Sequence, residues 1–79
     1  MEKISVKITT EYIKLDSLLK LAGVTATGGE AKNLINSGGA LLNGETCTQR
    51  GKKIRPGDVV TVQNTTISVV KQEYDNTKS

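Results

Sequence analysis

Residues 13–57 of this 79-residue chain, IKLDSLLKLAGVTATGGEAKNLINSGGALLNGETCTQRGKKIRPG, decide its fold. The first part of this stretch carries apolar side chains at helical spacing, at Leu15, Leu18, Leu19 and Ala22. Their i, i+3, i+4, i+7 pattern predicts an amphipathic helix that opens at Leu15 or Asp16. Gly23 follows directly and is a natural residue to end it.

A second helix is predicted to begin after Thr27. Thr27 can act as the N-cap, and Glu30, three residues later, can complete a capping box. The buried stripe of this helix consists of Ala31, Leu34 and Ile35. Because Gly38 and Gly39 end it and the loop between the helices is short, we expect the two helices to pack antiparallel.

The rest of the chain is predicted to be extended. Alternation over Lys3–Thr9 indicates a half-buried strand with Ile4, Val6 and Ile8 on one face. The other predicted features are a strand at Ala40–Leu42, a hairpin turn at Asn43–Gly44, a return strand at Glu45–Thr48, a basic loop at 49–55, a type II turn at Arg55–Asp58, strands at Val59–Gln63 and Thr66–Val70, and a turn at Asn64–Thr65. The prediction is one α+β domain over residues 1–71, with two antiparallel helices on a small antiparallel sheet, and a polar, frayed tail at 72–79.

Composition excludes several classes of protein. The chain has no histidine and one cysteine, so neither an intrachain disulfide nor a Cys/His zinc site can form. Cys47 is expected to be a small buried thiol with no histidine to activate it. No apolar run reaches the ~20 residues that a membrane span needs. We expect a cytoplasmic monomer that binds no metal, cofactor or small-molecule substrate.

The positive charge is concentrated in one region. The net charge of the chain is +3, and residues 12–58 hold seven cations and four acids, which accounts for all of it. Four of these cations lie within six positions, at Arg50, Lys52, Lys53 and Arg55. Such a cluster on an otherwise balanced chain favours a polyanionic partner. A solvated polar face is the alternative interpretation of the same charges.

Both helix starts are candidate phosphate sites, because the first turn of a helix leaves N–H groups unpaired. Gly28 and Gly29 at the second helix would let a phosphate approach the backbone, with Lys32 one turn further on. The alternative is that these glycines only form a tight turn. The nucleotide-binding glycine patterns are absent.

The chain lacks a platform for stacking bases, since Tyr12 and Tyr74 are its only aromatic residues. Proteins that bind single-stranded RNA usually stack its bases on aromatic side chains. An RNA partner is therefore expected to be folded and to be held through its backbone and shape.

Residues 13–60 resemble the S-four domain, the RNA-binding module named after ribosomal small-subunit protein four. The matching residues are Lys14-Leu15-Asp16, Gly23, Thr27, Ala31-Lys32-Asn33-Leu34-Ile35, Leu42-Asn43-Gly44 and Pro56-Gly57-Asp58-Val59-Val60. The stretches Thr27–Lys32 and Arg50–Lys53 are similar to the stand-alone YaaA/YbcJ-like subgroup. The resemblance implies that the helix pair and the following hairpin contact RNA. Relatives that bind ribosomal RNA commonly have arginine where Gly28 stands, and lysine replaces their arginine at positions 14 and 32.

These observations predict a non-enzymatic, stand-alone protein that binds structured RNA, ribosomal or transfer RNA, in ribosome assembly or translation. The candidate RNA-binding residues are Lys14, Gly28, Gly29, Lys32, Asn33, Asn43, Arg50, Lys52, Lys53 and Arg55. A protein-interaction adaptor docking on a larger cytosolic complex is the alternative. An enzyme is poorly supported, because no pair of acids is placed for acid/base or metal chemistry.

Overall fold

The computed structural model describes residues 2–72. Two helices and seven strands follow one another along this part of the chain: β1 (Glu2–Ile8), β2 (Ile13–Lys14), α1 (Leu15–Leu21), α2 (Gly28–Asn36), β3 (Ala40–Leu42), β4 (Glu45–Thr46), β5 (Lys53–Ile54), β6 (Val59–Val62) and β7 (Thr65–Lys71). The predicted α+β class is confirmed, with α1 packed on α2 beside the strands.

The main sheet has five strands in the order β1-β7-β6-β3-β4, and β2 and β5 form a separate two-stranded ladder. The sheet is mixed, whereas an antiparallel one was expected. Three of its pairs are antiparallel, namely β3–β4, β3–β6 and β6–β7. The fourth pair is parallel, because β1 runs in the same direction as β7 from Glu2↔Thr65 to Ile8↔Lys71. The reason is topological: β1 and β7 are separated by the whole helical region, so no tight turn forces them to be antiparallel.

The core lies between the helices and one face of the sheet. Its buried members are Val6, Ile8, Leu15, Leu18, Leu19, Ala31, Ile35, Ala40, Ile54, Val60, Val62, Ile67 and Val69. The predicted helical stripes are confirmed, with Leu15, Leu18 and Leu19 fully buried and Ala22 and Leu34 half-buried. Full burial of each of the three α1 leucines contributes about 1.5–3 kcal/mol to the stability of the fold.

Both helices end in the same backbone motif. At the end of α1, Val24 N donates to Leu19 O at 3.0 Å and Gly23 N to Lys20 O at 3.1 Å. At the end of α2, Gly39 N donates to Leu34 O at 2.9 Å and Gly38 N to Ile35 O at 3.1 Å. These paired bonds are Schellman motifs, and they satisfy carbonyl groups that the last helical turn leaves open.

The local turn predictions hold, with one shift. Asn43 and Gly44 both have positive φ, as a two-residue type I′ hairpin turn requires. In the Arg55–Asp58 turn, Asp58 N donates to Arg55 O at 2.9 Å and Gly57 has φ +99°, which fits type II. The final hairpin turns at Gln63–Asn64, one residue earlier than predicted, because Val62 pairs with Thr65.

Three extended segments differ from their predictions. The return strand is confined to Glu45–Thr46, and β2 and β5 were not predicted at all. Part of the expected basic loop at 49–55 is therefore strand β5. Of the tail expected at 72–79, Gln72 still donates its N–H to Ile8 O at 2.8 Å, and residues 73–79 lie outside the described part.

Gly39→Ala is expected to destabilise the fold. A Cβ at this position would meet Leu34 Cδ1 at 2.5 Å and the Leu34 carbonyl oxygen at 3.0 Å, so the last turn of α2 would have to move. We expect a loss of about 1–3 kcal/mol in the free energy of unfolding, measured by urea denaturation.

Gly28→Ala is the matched control. A Cβ at Gly28 has no atom within 4 Å and the backbone there does not have positive φ. Alanine in the first helical turn should leave stability unchanged or raise it, by up to about 1 kcal/mol. Equal stability of the two variants would contradict the close contact at Gly39.

Candidate nucleic-acid interface

The basic segment is fastened to the start of α1 through its backbone. Leu15 N donates to Lys52 O at 3.0 Å, and Asp16 N donates to Arg50 O at 3.1 Å. Lys52 N in turn donates to Gln49 O at 3.1 Å, which closes a tight turn within the segment. The side chains of Arg50 and Lys52 are exposed, so they extend into solvent from a backbone whose position is fixed.

These bonds correct one expectation about phosphate binding. The first two N–H groups of α1 are occupied by carbonyls of the protein, and the third, at Ser17, donates to Asp16 Oδ1 at 2.7 Å. The start of α1 therefore offers no free donors to a phosphate. Its role is to hold the basic segment.

A two-residue ladder completes this attachment. Ile13 lies opposite Ile54, and Lys14 lies opposite Lys53. Ile54 is fully buried and Ile13 packs against the core, so the two lysines must point to the other side, where both are exposed. The Nζ atom of Lys53 lies 4.9 Å from the centre of the Tyr12 ring.

The start of α2, in contrast, is open. Thr27 Oγ1 accepts from Glu30 N at 3.1 Å, and Glu30 Oε1 accepts from Ala26 N at 2.7 Å. The predicted capping pair thus forms, although the carboxylate reaches one residue before the N-cap. Within residues 2–72, the N–H groups of Gly28 and Gly29 have no partner. Both glycines belong to the first turn of the helix.

Lys32 and Asn33 follow one turn later on α2. Both side chains are exposed, while Ala31 and Ile35 on the opposite side are fully buried. Residues three and four positions apart are neighbours on a helix surface. The glycine backbone, the lysine and the asparagine therefore form one continuous polar face.

Asn43 and Asp58 join two turns. The Asn43 amide donates to Asp58 Oδ1 at 3.2 Å and accepts from Val59 N at 3.0 Å, while Asp58 Oδ2 accepts from Arg55 N at 2.8 Å. Asp58 therefore caps the turn to which it belongs. The Asn43 amide already serves the fold, and its contact with RNA stays a prediction. Arg55 is exposed on the same turn.

The ten candidate residues thus form three groups. Lys14, Arg50, Lys52 and Lys53 surround the start of α1 and are called the α1 cluster below. Gly28, Gly29, Lys32 and Asn33 form the α2 face, and Asn43 and Arg55 lie at the joined turns. Within residues 2–72, no side-chain hydrogen bond or ion pair connects one group to another.

Cys47 is half-buried against the core rather than buried, and its Sγ lies 3.8 Å from Gln49 O. It borders a groove of about 250 Å³ whose other lining residues include Thr46, Thr48 and Lys52. Among residues 2–72 no three Cys, Asp or Glu side chains are grouped to hold a metal ion. In the same residues, neither helix is long and apolar enough to cross a membrane.

Sequence reasoning missed Tyr12 as a neighbour of the basic residues. The signal was present, because Tyr12 and Lys14 are two positions apart and share a face if the segment is extended. It also missed the carbonyls of Arg50 and Lys52 as caps for α1. These two backbone contacts join residues 37 and 34 positions apart, and such contacts do not affect the pattern of apolar and polar side chains.

A protein-family model described as "S4 domain", the S-four family named above, matches residues 6–70. The probable ribosome maturation protein RlbA of Bacillus subtilis is 41% identical over 58 residues, which are 73% of this chain and 82% of that protein. Small ribosomal subunit protein uS4 of Francisella philomiragia is 38% identical over 50 residues, 63% of this chain but only 24% of its own length. The same protein of Francisella tularensis subsp. novicida is 36% identical over the same length.

Asn43→Gly tests the connection between the two turns. Glycine tolerates the φ of 52° at this position but removes both amide hydrogen bonds. We expect a loss of about 1–3 kcal/mol in the free energy of unfolding, because Val59 N and Asp58 each lose a partner. Thermal or urea unfolding measures it, and Gln63→Gly, at a similar φ of 51° without such bonds, is the control. A loss no larger than that of the control would contradict the proposed connection.

Proposed function

Because the chain belongs to the S4 domain family of RNA-binding domains, we propose that it binds structured RNA, and ribosomal RNA in particular, through the phosphate backbone. It acts by binding and not by catalysis. The contribution of the binding event is to stabilise one fold of the RNA during ribosome maturation.

The observation that carries this proposal is the attachment of the α1 cluster to the start of α1. Its backbone is held by two hydrogen bonds and a strand ladder, and its four cationic side chains are exposed. Cations on a fixed backbone lose less conformational freedom on binding than cations on a free loop. Such an arrangement suits a polyanion with a defined spacing of charges, as a folded RNA has.

The α2 face supplies a second kind of contact. The free N–H groups of Gly28 and Gly29 and the positive end of the helix dipole favour an anion, and Lys32 adds a full charge one turn away. Glu30 opposes them with a carboxylate, which already accepts a hydrogen bond from Ala26. We therefore infer weaker phosphate binding here than at the α1 cluster.

The choice of ribosomal RNA rests on relatives. The Bacillus subtilis relative is named a probable ribosome maturation protein, and the Francisella relatives are ribosomal subunit proteins. The first of these is the more informative, because this chain covers 82% of it. Transfer RNA is the second RNA to be tested. A complex whose affinity does not depend on salt would instead favour the protein-adaptor function.

Lys52→Glu with Lys53→Glu is expected to weaken binding to small-subunit ribosomal RNA purified from Bacillus subtilis. Each lost phosphate contact should flatten the dependence of log affinity on log salt by about 0.7–0.9. Filter binding over a salt series measures both effects. Bulk transfer RNA and poly(A) in the same assay test selectivity for a folded RNA.

Lys3→Glu with Lys7→Glu is the matched control, because it makes the same charge change at exposed positions of β1. It should keep the salt dependence of the parent. If both double variants lose affinity equally, net charge and not the α1 cluster governs binding. If neither loses affinity, RNA binding by this cluster is wrong.

Gly28→Arg and Gly29→Val test the α2 face in opposite directions. A Cβ at Gly28 meets nothing within 4 Å, and one at Gly29 meets only Thr27 Oγ1 at 3.8 Å, so both variants should fold. Valine should crowd the free N–H groups and weaken RNA binding, whereas arginine adds a cation and should strengthen it. Affinities are compared after a thermal melt confirms folding. Parent-like affinity in both variants would leave the glycines a purely structural role.

A further inference from the structure

We propose that Lys14 and Lys53 bind one and the same phosphate group, and that Tyr12 positions Lys53 for this contact. The inference rests on the proposed function, and it defines one subsite within it. A phosphodiester of the RNA backbone is the expected ligand.

The register of the β2–β5 ladder brings the two lysines together. Lys14 and Lys53 are direct partners across an antiparallel pair. Side chains of such partners extend from the same face with their Cβ atoms about 4.5–5.5 Å apart. The isoleucine pair on the other face is held in the core, so the ladder cannot turn over to separate the lysines. Two ammonium groups are therefore kept within reach of one phosphate.

Lys14 and Lys53 carry like charges at opposed positions of the ladder. Like charges directly opposite each other in a ladder are destabilising. Within residues 2–72, neither lysine takes part in an ion pair. The nearest acid along the chain on the α1 side, Asp16, accepts a hydrogen bond from Ser17 N. A phosphate between the two ammonium groups would replace their repulsion with two attractions.

Tyr12 accounts for the direction that Lys53 takes. The Lys53 ammonium lies 4.9 Å from the ring centre, within the distance for a cation–π contact. Tyr12 is half-buried, so part of its side chain packs against the protein, and its carbonyl accepts a hydrogen bond from Thr10 Oγ1 at 2.7 Å, which restrains the backbone at this residue. It thus holds one lysine beside the other in the free protein. A cation placed in advance loses less freedom when the phosphate binds.

The first experiment counts phosphates. Lys14→Ala, Lys53→Ala and the double variant are titrated with small-subunit ribosomal RNA over a salt series. If one phosphate is shared, the double variant flattens the log–log salt slope by about 0.7–0.9 and each single variant by much less, because the remaining lysine still neutralises the phosphate. Separate phosphates predict about 0.7–0.9 for each single variant and about 1.4–1.8 for the double. That result, or an unchanged slope in the double variant, would overturn the shared site.

The second experiment separates positioning from packing. Tyr12→Phe keeps the aromatic ring and should bind RNA as the parent does. Tyr12→Leu keeps an apolar side chain but removes the ring, and should weaken binding about two- to fivefold. In a Lys53→Ala background the same leucine substitution should have no effect. A loss of equal size in that background, or a loss in Tyr12→Phe, would overturn the positioning role.

The third experiment needs no RNA, so it separates this inference from the proposed function. Lys14→Glu turns the opposed pair into an opposite-charge pair, so it should raise the melting temperature by a few degrees at low salt and by less at high salt. In a Lys53→Ala background the same substitution should not raise the melting temperature. The absence of a rise in the parent background would overturn the opposed placement. If the rise occurs but the Lys52/Lys53 glutamate variant binds RNA normally, the proposed function fails and the placement stands. If that variant loses binding and the single-phosphate slope is absent, the shared site fails alone.

Discussion

The structure depends on the two backbone hydrogen bonds by which the first turn of α1 donates to the carbonyls of Arg50 and Lys52. A helix start always presents unpaired N–H groups, and a polar loop always presents carbonyls that need partners. Here each satisfies the other. The same contact brings β5 beside β2 and buries Ile54 fully. The groups that could have bound phosphate at α1 are used instead to hold the cations that are proposed to bind it.

This arrangement separates the forces that hold the site from the charges that act in it. The α1 cluster is positioned by backbone bonds and by the burial of isoleucines, and in the described residues it makes no ion pairs. Ion pairs with acids would have oriented the cations too, but they would compete with an incoming phosphate. A chain of this size has limited core to stabilise exposed like charges. The buried ladder face offsets part of the repulsion on its outer face.

The parts of the fold that were predictable have local causes. The leucine spacing of α1, the Thr27–Glu30 cap and the turns at Asn43–Gly44 and Arg55–Asp58 each depend on residues a few positions apart. The parallel pairing of β1 with β7 and the β2–β5 ladder join distant segments, and two-residue strands carry no periodicity to detect. The basic residues could be identified from the sequence, but their grouping around α1 could not be predicted, because it depends on contacts between distant segments. Lys14 and Lys53 are 39 positions apart in sequence and directly opposed in space.

The two helix starts bear on the proposed binding of a folded RNA. At α1 the donors are covered and charge is presented by side chains, whereas at α2 the backbone itself is exposed at two glycines. In the proposed function, both arrangements contact phosphates. Within residues 2–72 the aromatic residue is Tyr12. The Lys53 ammonium lies over one face of its ring, so that face is not free to stack a nucleobase. Contacts limited to phosphates can select among RNAs only through the spacing of those phosphates in three dimensions. Under the proposed function, discrimination comes from the fixed positions of the cations, so a variant that loosens the α1 attachment without removing any charge should lose selectivity before it loses affinity.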